Sequence, residues 1–184
     1  LGDVYKRQDI DCDSLRRNTA IVLQDTVLFA DSIENNLRYS NSSATDEQMY
    51  MAARMSNCDS MIRKMPQGYD TQLMSEGENI SQGQRQLLSI ARAFLAQPKI
   101  LILDEATSSV DTRTEKHIQD AMVKLMKDRT SLIIAHRLST IQDADLIVVM
   151  DEGRIAETGS HANLLAKKGK YYQLYMTQFA GCAT

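Results

Sequence analysis

Tryptophan is absent from this 184-residue chain, and aromatic residues make up only 5% of it. A platform that binds nucleic acid by stacking bases on rings is therefore not indicated. No run of Lys or Arg exceeds two residues and the formal net charge is −3, which argues against a nucleic-acid partner held by a basic surface. Cysteine is sparse, with Cys12, Cys58 and Cys182 standing far apart and in no C-x-x-C or metal-ligand spacing. An odd, scattered set fits a reducing cytosol better than a disulfide framework. The longest apolar runs, such as residues 146–150, fall far short of the roughly 20 residues that span a bilayer. No signal-peptide pattern, internal repeat or low-complexity segment is evident. Of the eight glycines, at 2, 68, 77, 83, 153, 159, 169 and 181, none begins the phosphate-cradling pattern G-x-x-x-x-G-K-[ST].

What remains is an ordinary globular composition, 43% hydrophobic and 24% charged, long enough for one domain with a real core. Its most informative stretch is residues 79–111. Ser81 with Gln84 three residues later forms a capping box. Leu87, Leu88, Ile90, Ala91, Phe94 and Leu95 then recur at helical spacing until Pro98. Ile100, Leu101, Ile102 and Leu103 read as a strand covered on both faces. Asp104 and Glu105 follow at once, at the strand end where open α/β sheets bind ligands. Each feature alone has a bland reading, a cap or a turn. Their tight succession is harder to explain that way.

Elsewhere, residues 20–23 read as a short buried strand ending at Gln24. Thr45 and Gln48 make a second capping box before a helix with Met49, Ala52, Ala53 and Met55 inward. Pro66, Gly68 and Asp70 mark a turn, and a loop through Glu76 delivers the chain to Ser81. Thr112 with Glu115 is expected to cap a helix carrying Ile118, Ala121, Met122, Leu125 and Met126. Residues 130–134 form the next strand, ending at His136, with a short helix around residues 139–142. A strand over residues 146–150 and a hairpin turn at Glu152-Gly153 follow, then two closing helices. Alternating strands and helices predict a mainly parallel sheet.

The order Ser81-Gln82-Gly83-Gln84, buried strand, Asp104-Glu105, Ser108-Ser109-Val110-Asp111 and Ile134-Ala135-His136-Arg137 resembles the nucleotide-binding domain of ATP-binding cassette transporters of the exporter, multidrug type. Residues 28–37 also resemble the exporter branch. The resemblance covers about residues 9–179. It implies a P-loop NTPase-like α/β fold, a mainly parallel sheet with helices on both faces, plus a helical signature subdomain. The implied divisions are a helical subdomain at about 40–97, a catalytic α/β core at 98–160 and C-terminal helices at 161–184. Residues 1–8 fit nothing in the family and are expected to be a foreign leader.

The resemblance also implies ATP hydrolysis coupled to export, with ATP and Mg²⁺ as cofactors. Asp104 and Gln24 would hold Mg²⁺. Glu105 would act on the attacking water, and His136 on the γ-phosphate. Ser81, Gln82, Gly83 and Gln84 would face the nucleotide of a second cassette in a head-to-tail dimer, with Ser109 and Asp111 across that interface. Gln82 departs from the more usual Gly. A transmembrane domain would be the other partner, placing the domain at the cytoplasmic face of the membrane, and no nucleic acid is implied. Lacking the phosphate loop, this chain alone is expected to be inactive. A non-catalytic partner cassette, against which Glu105 argues, and a soluble ATPase of the same family are the alternatives.

Overall fold

The computed structural model describes residues 10–23, 26–104, 110–135 and 141–180, with backbone only at residue 76 and residues 178–180. They form two compact units, divided between Ile134 and Ala135.

The first unit opens with helix α1 (Cys12–Asn18), to which the sequence pattern gives no strong signal. The Asp11 carboxylate accepts the Ser14 N–H at its start, and Arg16 and Arg17 sit in its last turn, so both ends suit the helix dipole. Strand β1 (Thr19–Val22) follows, then helices α2 (Ile33–Arg38), α3 (Asp46–Met55) and α4 (Asp59–Ile62). The expected capping box at Thr45 and Gln48 is formed. Met49, Ala52 and Ala53 are buried as the helical spacing requires, but Met55 is exposed at the last turn. Helix α5 (Gln82–Ala96) ends with Gln97 in the left-handed region, immediately before Pro98. Strand β2 (Ile100–Asp104), helix α6 (Thr112–Met126) and strand β3 (Thr130–Ile134) complete the unit.

The three strands form a parallel sheet in the order β1-β2-β3. In its register Val22 pairs with Leu103, and Asp104 pairs with Ile134. One face carries Val22, Leu101 and Leu103, which share a single core with Leu88, Ala91 and Leu95 of α5 and Ile118, Ala121 and Leu125 of α6. Each such large side chain removed from water stabilises the fold by roughly 1.5–3 kcal/mol. The opposite face differs from the expectation of double burial. Ile21, Leu132 and Ile134 are about half exposed or more, because α5 and α6 both pack into the other face.

The second unit contains strands β4 (Ile147–Asp151) and β5 (Arg154–Gly159), an antiparallel hairpin. Glu152 and Gly153 at its turn have φ of 46° and 74°, as a two-residue turn of mirror-image twist requires. Helix α7 (His161–Lys167) is capped by Ser160, and α8 (Lys170–Ala180) follows. Ile147, Val149, Leu164 and Tyr171 make the core. The Glu157 side chain reaches from β5 to the start of α8, accepting N–H groups from Lys170 at 2.8 Å and Tyr171 at 3.1 Å. A Cβ at Gly169 would lie 1.8 Å from the Glu157 Oε1. Among the described residues no helix is long and apolar enough to cross a membrane.

Candidate nucleotide-phosphate site

Because β1, β2 and β3 are parallel, their carboxyl ends lie along one sheet edge. Asp104 is the last residue of β2 and is half-buried there. Gln24, Glu105, Ser109 and His136 lie outside the described residues. Among the described residues no group of three or more His, Cys, Asp or Glu could hold a metal.

The start of α5 is built as its sequence predicts. The Gln84 N–H donates to Ser81 Oγ at 3.3 Å, and Gln84 Oε1 accepts the Ser81 N–H at 2.8 Å. Gln84 Oε1 is thereby committed to the cap. Ser81 is exposed and Gln82 and Gln84 are half-buried, so the helix tip faces outward. No acidic residue occupies the first turn. The tip thus keeps an uncompensated positive helix end, which favours an anion.

Gly83 is brought against the first turn of α6. A Cβ on Gly83 would meet Thr114 Cγ2 at 2.4 Å and Val110 Cγ1 at 2.9 Å. The close approach that glycine allows is therefore to this chain's own next helix. The start of that helix corrects the expectation for Thr112. Asp111 is the N-cap, its Oδ1 accepting the N–H of Arg113 at 3.1 Å and of Thr114 at 3.0 Å. A residue two or three places before the helix donors must supply the oxygen, and Asp111 has both the position and the acceptor. The Thr114 N–H first, then the Thr114 side chain and the Arg113 N–H, hold the Asp111 carboxyl below its ordinary pKa.

Sequence spacing gives no role to three further residues here. Gln86 is buried on α5 and accepts from the Thr26 hydroxyl at 2.9 Å. Arg85 donates to the carbonyls of Gly77 and Ile80, each at 3.2 Å, fixing the loop that follows Glu76. Arg92 bonds to Val27 and Asn36, across 65 and 56 positions respectively. A polar residue between apolar helix positions is the only signal the sequence offers for them, and it does not name the partner.

The parallel sheet, with Asp104 ending its middle strand and helices packed against it, defines an α/β protein. A family model described as ABC transporter matches residues 2–108, more than half the chain. The chain belongs to the ABC transporter family. It is 54% identical to an ABC transporter ATP-binding protein, YfiC, of Bacillus subtilis over 90% of the chain and 28% of that protein. It is 48% identical to an ATP-dependent lipid A-core flippase of Syntrophus aciditrophicus, over 97% of the chain and 30% of that protein. Among solved structures, a bacterial Atm1-family ABC exporter with ATP bound superposes with a TM-score of 0.82 at 43% identity. That match covers 90% of this chain and 29% of the exporter chain. The chain thus spans less than a third of the length of these relatives.

Proposed function

We propose that the chain is most of the ATP-hydrolysing cassette of an exporter-type ABC transporter. The observation that carries this reading is the outward-facing start of α5, capped by Ser81 and free of acidic residues in its first turn. A γ-phosphate presented by a second cassette would meet its N–H groups and the positive helix end.

Asp104, with the Gln24 side-chain oxygen, would hold Mg²⁺. These are hard oxygen donors, and magnesium takes few carboxylates alongside substrate phosphates. The ion would neutralise charge on the phosphates during transfer. Glu105 would orient the attacking water and accept its proton, and His136 would hydrogen-bond the γ-phosphate. Ser109 and Asp111 would lie across the dimer interface. Asp111 can do this while capping α6, since one oxygen, Oδ1, accepts both cap bonds. Residues 40–97, 98–160 and 161–184 are read as helical subdomain, catalytic core and C-terminal helices. In the complete protein, a transmembrane domain would hold the cassette at the cytoplasmic face.

This chain contains no G-x-x-x-x-G-K-[ST] loop to anchor the β- and γ-phosphates. Titrating it with MgATP by calorimetry should therefore give no micromolar binding. The complete transporter should hydrolyse ATP and lose that activity in Glu105→Gln. Micromolar binding by this chain, or full activity in Glu105→Gln, would overturn the respective statement.

A further inference from the structure

Arg92 lies on α5, about three turns beyond Ser81, and is half-buried. Its Nε donates to the Asn36 backbone oxygen at 2.6 Å and one terminal nitrogen donates to the Val27 oxygen at 2.6 Å. The other terminal nitrogen donates to Asn36 Oδ1. The guanidinium carbon lies 5.5 Å from the centre of the Phe29 ring and 5.7 Å from that of Tyr39, and those two rings pack with centres 4.4 Å apart, tilted by 44°. The same helix position accepts back from this segment, as the Ser40 hydroxyl donates to the Arg92 carbonyl at 2.9 Å. Among the described residues the charge is thus met by carbonyl oxygens and ring faces, with no carboxylate in the set.

Asn36 shows what the arrangement organises. It is buried, and its amide donates to the carbonyls of Phe29 and Ser32, each at 3.0 Å. Its Oδ1 accepts the Phe29 N–H at 2.9 Å as well as the Arg92 bond. Asn36 folds residues 29–36 onto themselves, and Arg92 fastens the folded segment to α5. A guanidinium is suited to this because its donors stand on three nitrogens fixed in one plane and reach three separated oxygens, whereas the donors of an ammonium all radiate from one atom.

We propose that Arg92 is a positioning residue that locks residues 27–39 to α5, so the segment after Gln24 and the Ser81 helix tip move as one body. Its meaning for hydrolysis rests on the reading above. The link itself needs no nucleotide.

The experiment is hydrogen exchange of the 184-residue chain, comparing residues 29–39 with reference amides in β2 and α6. In Arg92→Lys and Arg92→Ala, exchange of residues 29–39 should quicken about ten-fold or more, the scale of losing charge-assisted bonds at a buried acceptor. The reference amides should stay within about two-fold. A cleft of about 590 Å³ lined by Arg92, Tyr39, Val27 and Ile21 gives small molecules access to the site. Millimolar methylguanidinium, and not methylammonium, should therefore restore protection in Arg92→Ala. Unchanged exchange in Arg92→Lys would overturn the proposal. So would equal quickening in β2 and α6, or equal rescue by both additives. If Arg92→Ala does not fold, Arg92→Lys, which keeps the charge and stem, decides alone. An ATPase result of either sign leaves these exchange rates untouched, so the two readings fail separately.

Discussion

Replacing Gly83 by alanine tests whether its missing side chain serves this chain's own packing. The new Cβ would sit 2.4 Å from Thr114 Cγ2 and 2.9 Å from Val110 Cγ1. Overpacking of this kind costs about 1–3 kcal/mol. Removing a glycine from a helix offsets about 0.5–1 kcal/mol of that. The net expectation is a loss of about 1–2 kcal/mol, overpacking less the helical gain. With a urea slope of about 1–3 kcal/mol per molar, the midpoint should fall by roughly 0.3–2 M. Thr114→Ser removes the 2.4 Å contact and leaves the one to Val110. Gly83→Ala should therefore cost about 1 kcal/mol less in that background, a coupling of the size expected for touching residues. Urea unfolding followed by circular dichroism supplies all four corners of the cycle. Identical costs in both backgrounds, or none in either, would refute the reasoning and leave the glycine to an incoming ligand alone.

Three further expectations concern the same chain. Ser81→Ala should lower stability by about 1 kcal/mol through loss of the capping box, measured as a shift in urea midpoint. Cys58 is buried and hydrogen-bonded to Ser56, and burial pushes its thiol up to about 12, so a maleimide should label it only after unfolding. Exposed Cys12 should label in the native chain, as peptide mapping would read directly. Burial raises the Asp59 carboxyl, but the Tyr69 hydroxyl at 2.7 Å and Arg63 together bring it below its ordinary 3.8. A lowered folded pKa means stability present above pH 3.8 and lost as pH falls through the folded value. Tyr69→Phe should destabilise by about 1–2 kcal/mol at about pH 7, and the gap should narrow as pH falls below 3.8 through the folded value, as paired acid titrations would show.

Much of the architecture is legible in the sequence because it rests on local chemistry. The box at Ser81, the apolar spacing of α5, the runs that form β2 and β3, and the Glu152-Gly153 turn each involve residues within a few positions. Asp111 is legible as a residue of interest, though the spacing to Glu115 points to its neighbour Thr112 as the cap. The hidden parts are long-range. Nothing near Arg92 or Gln86 in the chain announces that their partners stand some 60 positions away, and a polar residue on a helix reads equally well as a solvated one. The exposed face of the sheet is illegible for another reason. A continuous apolar run records the burial a strand can accept, and cannot say how many layers the described residues supply. For Gln24, Glu105, Ser109 and His136, the family pattern remains the basis of the assignment.

Gly169 and Glu157 are one structural choice written in two places. The carboxylate that caps α8 occupies the volume a side chain at 169 would fill, so alanine there would evict it and leave two helix N–H groups bare. Drift at either position alone should be penalised. In a broad set of relatives the two should change together or not at all, tethering the final helix to the hairpin by a rule that reaches across the whole of α7.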